Sequence, residues 1–320
     1  MSTRINPTTL LKTISKLRRY VTCSFFCIIS VNYLCFYTLR FLLLILLFFL
    51  KSSQPAHCQN MMPRLATEVG GGGLTTAWLA SPAETQCAAL AVQTTQPVIF
   101  ISGVLPYGLS ELAEMELRGT MPTQWFTLGA MVGRCGNINS AFTSAGLSAS
   151  RCFTLCNETR LSIGIEYKVL IHTLAFYDKS VSSFSTLSLG LQWRTSWQVT
   201  LMVQNPEQMT IGCGGVSRHI PTIGWLSLRW QAPRYVALAA EVKWQSTLTP
   251  TAHFGLAFRP TDSLLFLAGA GMTNSGGALM SAGCGYDWGS LAIMASMAYD
   301  QQIGINSGAQ LRYIFNFCGR

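Results

Sequence analysis

Four histidines and eleven cysteines are the side chains best suited to chemistry in this 320-residue chain. Catalysis needs such groups in company: a nucleophile beside a base, or ligands at metal-binding spacing. No G-x-S-x-G and no H-E-x-x-H occurs. His57 lies in an N-terminal leader, His172 and His219 fall in expected loops, and His253 takes the inward phase of an expected strand. Cys152 and Cys156 stand with three residues between them and without the second pair that a zinc site requires. The other cysteines beyond the leader are Cys87, Cys135, Cys213, Cys284 and Cys318, which makes an odd set of seven. They read as small apolar fillers, with at most one bridge among them. The glycine run Gly70–Gly73 is followed by Leu-Thr-Thr and not by the Lys-Ser/Thr of a phosphate-binding loop. The expectation is therefore a protein with no catalytic residues, no metal and no cofactor.

The elements that hold these residues are set by composition. Only 11% of residues are charged while 49% are hydrophobic, against about 25% charged in an ordinary soluble domain. Beyond residue 60 no apolar run approaches the ~20 residues of a spanning helix. Low charge without helical spans points to a closed β-barrel, because in hydrocarbon every backbone N–H and C=O must be paired internally. The net charge of +9 is misleading. Residues 1–60 carry Arg4, Lys12, Lys16, Arg18, Arg19, Arg40 and Lys51 with no carboxylate, leaving 15 basic and 13 acidic residues in the rest. No basic patch follows, so no nucleic-acid partner is expected.

The leader has the plan of an export signal. Phe41–Leu50 is ten consecutive large apolar residues, too short to span and suited to the hydrophobic region of a signal peptide. Ala56 and Cys58 occupy the −3 and −1 places of a cleavage before Gln59. The expected organisation is a leader at 1–58, a hatch or plug segment at 59–96 and a transmembrane barrel at 97–320.

After residue 60 the pattern alternates. In Arg234–Gln245, Val236, Leu238, Ala240, Val242 and Trp244 share one face, while Glu241 and Lys243 take the other. A strand sorts this set cleanly and a helix does not. Stretches 160–169, 187–194, 223–231, 252–259 and 309–317 sort the same way, with turn signals between them at hairpin spacing. The count is about 14 antiparallel strands, within 12–16, the first two spanning 98–103 and 109–118. A soluble sandwich would also alternate, but its solvent face would carry many charges. Here the second face is Gly, Ser, Ala and Gln, and aromatic residues stand close to strand ends, as in interfacial girdles (Trp193, Trp230, Trp244, Phe258, Tyr286, Trp288 and Tyr299). The fold class is all-β, a transmembrane barrel with a short N-terminal hatch.

The same phase assigns Arg160, Glu166, Lys168, Arg194, Arg229, Glu241, Lys243, His253, Arg259 and Arg312 to the lumen, where opposite charges can pair across strands. It also makes Ala240 lipid-facing and Ala239 lumenal. Arginine at Ala240 is then expected to cost about 2–4 kcal/mol near the midplane, and arginine at Ala239 far less.

Several motifs resemble one family. Gly190-Leu-Gln-Trp-Arg194 followed by Trp197–Pro206, His253–Pro260 followed by Leu264–Gly271, and Gly283-Cys-Gly-Tyr286 resemble the strand and turn signatures of the PorV/PorQ-like outer-membrane barrels of Bacteroidetes, relatives of the FadL long-chain fatty-acid transporters. Gly71, Gly72 and Gly73, with Ser81, Pro82 and Ala83, resemble that family's hatch segment, Ser81 standing where Asn is usual. The resemblance covers about residues 66–317. It implies an outer-membrane location and a narrow or plugged channel for small or hydrophobic solutes. The alternative it implies is a non-transport assembly or docking component of type IX-like secretion. Expected partners are outer-membrane lipid and, on the second reading, secretion-system or envelope proteins.

Overall fold

The computed structural model describes residues 66–71, 73–76, 87–91, 94–156, 158–175, 177, 179–213, 216–232, 235–246, 248–273 and 276–316. The leader, Gly72, and Ser81, Pro82 and Ala83 lie outside the described residues. Two short helices come first, α1 (Ala66–Gly70) and α2 (Ala88–Ala91). Seven strands follow: β1 (Val98–Leu105), β2 (Glu114–Pro122), β3 (Thr127–Gly136), β4 (Ser140–Cys156), β5 (Thr159–Leu174), β6 (Ser180–Trp193) and β7 (Trp197–Gln204). A small hairpin, β8 (Thr210–Cys213) with β9 (Val216–His219), separates them from a second set of seven. These are β10 (Ile223–Gln231), β11 (Val236–Gln245), β12 (Leu248–Phe258), β13 (Leu264–Met272), β14 (Ala278–Asp287), β15 (Leu291–Asp300) and β16 (Gly304–Ile314).

Strands β1–β7 and β10–β16 form one closed antiparallel barrel, each pairing with its neighbour in sequence order. The 14 strands match the count read from the alternation. Closure runs from Val98↔Ile314 to Leu105↔Ser307, so the first and last strands leave no edge. That satisfies the ladder on every strand, the condition for backbone in hydrocarbon.

The alternation has two consequences, one on each face. On β6, Leu187, Leu189 and Leu191 stand exposed while Ser188 is buried. On β11, Leu238 is exposed while Ala237, Ala239 and Glu241 are buried. Polar and small residues therefore fill the inside, and large apolar ones cover the outside. A continuous apolar outer wall would aggregate in water and is what a lipid-facing wall requires. The fold is a transmembrane β-barrel.

The two ends differ. At the end that holds the chain termini of the barrel, the connections are short, such as 157–158, 194–196 and 288–290. At the other end the connections include 106–113 and the long segment 205–222. We refer to these as the turn end and the loop end. Aromatic side chains collect at the turn end: Trp197 and Trp230 lie 6.2 Å apart, Tyr286 and Trp288 4.7 Å, and Tyr313 and Phe315 4.9 Å between ring centroids.

Two departures from the sequence reading have local causes. The second strand begins at Glu114 and not at 109, because Pro106 starts a tight turn in which Tyr107 has φ 55° and Gly108 has φ 69°. The β8–β9 hairpin stands where the sequence pattern gives only loop, because its four-residue strands are too short to show a period of two.

Candidate functional site

The described residues of the N-terminal segment, 66–71, 73–76 and 87–91, pack against the inward face of the barrel. Helix α1 packs on β14, β15 and β16, and α2 packs on β4, β5 and β6. These two wall regions are nearly opposite in the strand order of the barrel. The hatch thus touches both sides of the interior. Each contact is built from a small wall residue and a hatch backbone group. The Ser188 hydroxyl accepts the Ala89 N–H at 3.0 Å and donates to the Gly164 carbonyl at 3.1 Å. Gly164 is required by the approach, since a Cβ there would lie 2.4 Å from the Ala89 nitrogen. On the opposite wall, Ser281 donates to the Gly70 carbonyl at 2.9 Å.

Between the helices, Glu241 on β11 binds the hatch main chain. Its carboxylate accepts the N–H of Thr75 at 2.9 Å and of Thr76 at 2.7 Å, and the Thr76 hydroxyl donates to it as well. Hydrogen bonds to an ionised acceptor are the stronger kind. The turn that presents these amides closes through Gly73, whose N–H donates to Glu68 O at 2.8 Å. Gly73 has φ +87°, and a Cβ there would lie 2.9 Å from His253 Nδ1. Hatch residues also seed apolar clusters with the wall. Leu74 packs with Ala237, Ala239, Ala257 and Leu265, Cys87 and Ala89 pack with Met202, Ile223 and Trp225, and Val69 packs with Val104 and Ala298.

A chain of buried charges crosses the wall from β2 to β5. Arg118 meets Glu116 at 2.9 Å and Glu166 at 3.7 Å, and Lys168 meets Glu166 at 3.0 Å. All four are at least nine-tenths buried. Small inward residues on the strands between, Gly133, Ser144 and Gly146, leave room for these long side chains. Buried charges need such pairing because desolvation is costly. Towards the turn end the buried charges are arginines. Arg229 donates to Gln231 Oε1 at 2.7 Å, and Arg312 pairs with Asp287.

The β8–β9 hairpin folds into the loop end. Ile211 and Ile220 are buried against Leu170 and Phe184, which are inward residues of β5 and β6. Asn205 clamps the base of this segment. It is fully buried with φ 52°; its amide donates to Ile220 O at 2.6 Å, its side-chain oxygen accepts the Met209 N–H at 3.0 Å, and its carbonyl accepts the Thr222 hydroxyl at 2.7 Å.

The residues assigned inward by phase are distributed as follows. Glu166, Lys168, Arg229, Glu241, His253 and Arg312 are buried, and Lys243 and Arg259 are half-buried. Arg160 is exposed at the turn-end start of β5. Arg194 is a correction. It lies beyond the end of β6 with φ 50°, exposed, paired with Glu158 at 3.3 Å and set over the ring of Trp193. The alternation stops at Trp193, and the left-handed turn takes Arg194 out of phase. His172 also differs from its expected loop position, because it lies on β5 and stacks on Phe142 at 4.1 Å. His219 lies on β9. His253 Nε2 is 3.0 Å from the Thr251 hydroxyl.

The inward residues missed by sequence reading include Glu114, Glu116 and Arg118. The signal was present: Met115, Leu117 and Met121 alternate against them in Glu114–Pro122 and are exposed. Among the described residues no group of three His, Cys, Asp or Glu side chains is placed to hold a metal.

No protein-family model matches the sequence, and no curated protein matches it. Solved structures do. The chain is similar to a Pseudomonas aeruginosa FadL homologue, with 12% identity over 80% of this chain and 99% of that one, at a TM-score of 0.54. It is similar to CymD, a monoaromatic hydrocarbon channel, with 12% identity over 82% and 100%, at 0.57. It is also similar to the Pseudomonas putida toluene transporter TodX, with 9% identity over 81% and 98%, at 0.52. The barrel has the fold of these three proteins. At such low identity the likeness is one of architecture.

Proposed function

We propose that this protein is an outer-membrane channel for small hydrophobic solutes, kept closed by its N-terminal hatch. The observation that carries the reading is the hatch itself, seated inside a transmembrane barrel and held by the carboxylate of Glu241. A solid barrel anchor would fill its interior with wall side chains. A separate segment bound by a few polar contacts and three small apolar clusters is a removable filling. The fold likeness to proteins described as a monoaromatic hydrocarbon channel and a toluene transporter favours hydrophobic solutes over ions. The even strand count and the short turns support a periplasmic turn end, as in most bacterial barrels. Residues 1–58 act as a cleaved export signal, so the intact mass of the mature protein should correspond to a start at residue 59. The PorV-like, secretion-linked docking role rests on the sequence resemblance alone.

The reading is tested on refolded full-length mature protein in planar bilayers and in vesicles. Rare stepwise openings, together with toluene-dependent uptake into vesicles, are expected. A barrel that neither conducts nor speeds uptake, but co-purifies with an envelope protein, would overturn the channel in favour of docking.

A further inference from the structure

The outer wall carries almost no charge. Among the described residues of the barrel strands, Arg134 and Arg151 are the only charged ones that alternate onto the outward face. They lie on adjacent strands at opposite ends, Arg134 near the loop end of β3 and Arg151 near the turn end of β4. Arg151 registers opposite Ile163, itself an exposed outer-wall residue.

Arg151 has distinctive company. Its guanidinium carbon is 5.9 Å from the ring centroid of Trp125, 5.5 Å from that of Phe126 and 5.2 Å from that of Phe153. All three rings are exposed on the outer surface, Trp125 by 67%. Among the described residues Arg151 has no carboxylate partner, whereas Arg118, Arg194 and Arg312 each have one. Ring contacts occupy the faces of a guanidinium and leave its N–H edge open. That edge forms a fork of donors matching two oxygens of a phosphate. The group lies near the turn end of β4, the end at which the aromatic pairs collect, and the cost of an outward arginine falls away towards the interface that such aromatic girdles mark. An unneutralised cation at that depth favours lipids of net negative charge.

We propose that Arg151, Trp125, Phe126 and Phe153 form a binding site for the phosphate of an anionic phospholipid in the leaflet at the turn end. The rings hold the cation edge-outward and pack against the upper acyl chain, while the guanidinium fork takes the phosphate.

The test is urea unfolding of the refolded full chain in vesicles of phosphatidylcholine, with and without added phosphatidylglycerol. The wild-type midpoint should rise with phosphatidylglycerol. Arg151→Gln should lose most of that rise, Arg151→Lys should keep part of it, and Arg134→Gln should keep all of it. An undiminished rise in Arg151→Gln would overturn the site. The same rise produced by inorganic phosphate in pure phosphatidylcholine vesicles would overturn the lipid assignment. Should Arg151→Gln fail to insert, Trp125→Leu serves in its place, with native mass spectra as the readout. Phosphatidylglycerol retained by wild type and lost from Trp125→Leu supports the site, and equal retention overturns it.

Discussion

The carboxylate of Glu241 accepts the main-chain N–H of Thr76 at 2.7 Å, tying the barrel wall at β11 to a segment 165 residues earlier in the chain. Thr75 and the Thr76 hydroxyl bind the same carboxylate. One wall residue therefore holds three donors of the hatch in a buried site. Hydrogen bonds to charged groups contribute about 1.5–3 kcal/mol.

Glu241→Gln keeps the size of the side chain, removes its charge and replaces one acceptor by a donor that faces a donor. Local opening of the hatch should become easier by about 2 kcal/mol. Hydrogen exchange at Thr75 and Thr76 reads this directly, and open-channel events should become more frequent. Unchanged protection of both amides would show that the apolar clusters alone hold the hatch.

Gly164→Val tests the second anchor. The new Cβ would lie 2.4 Å from the Ala89 nitrogen and 2.7 Å from the Ala88 carbonyl carbon, and backbone atoms cannot step aside as a flexible side chain can. Helix α2 should leave the wall, and Cys87, now with no exposed surface, should become accessible. Maleimide labelling in a background with the other six cysteines beyond the leader replaced by Ser should rise from negligible to nearly complete. Continued protection of Cys87 would mean that the hatch tolerates the side chain.

The loop end should respond to acid through Glu207. Partial burial acts to raise its pKa, but hydrogen bonds from the Ser185 hydroxyl and N–H outweigh this and hold it below the ordinary carboxylate value. A lowered folded-state pKa means that the contribution is complete above the unfolded value and is lost as pH falls through the folded one. The effect is small because the group is largely exposed. Exchange of amides in 205–209 should quicken on acidification below the ordinary carboxylate range. Glu207→Gln should show the quicker exchange already at neutral pH, with no further dependence. A variant with wild-type pH dependence would remove Glu207 from this role.

The barrel was legible because each strand must contrast an apolar outside with a polar inside, and that contrast is written residue by residue. Leu187, Leu189 and Leu191 against Ser188 show it, as do Met115 and Leu117 against Glu116 and Arg118. Where structure depends on main-chain groups or distant packing, the sequence is silent. Thr75 and Thr76 meet Glu241 through backbone N–H groups, which every residue but proline possesses. The β8–β9 hairpin is fixed by Ile211 and Ile220 against Leu170 and Phe184, contacts that no short-range period encodes. Arg194 departs from the inward phase for a third reason: alternation carries no mark of where a strand ends, and the reversal at φ 50° is a property of the turn.

Neighbouring alanines on β11 separate the two faces of the wall. Ala240 is outward, registering with Leu228 and Phe254, so arginine there meets hydrocarbon and should cost about 2–4 kcal/mol in vesicles. From alternation alone, Ala239→Arg should be far milder, as a lumenal change. The structure revises this, because Ala239 is only 6% exposed and packs with Leu74 of the hatch. Forcing a longer side chain into that cluster should cost about 1–3 kcal/mol, before counting a charge without a partner. The two variants should then be similarly destabilised by urea but differ in kind. Ala240→Arg should leave exchange at Thr75 and Thr76 unchanged. Ala239→Arg should expel Leu74 and quicken exchange across 73–76. If Ala240→Arg loosens the hatch and Ala239→Arg does not, the register of β11 is shifted by one residue, and Glu241 could not be the group that holds it.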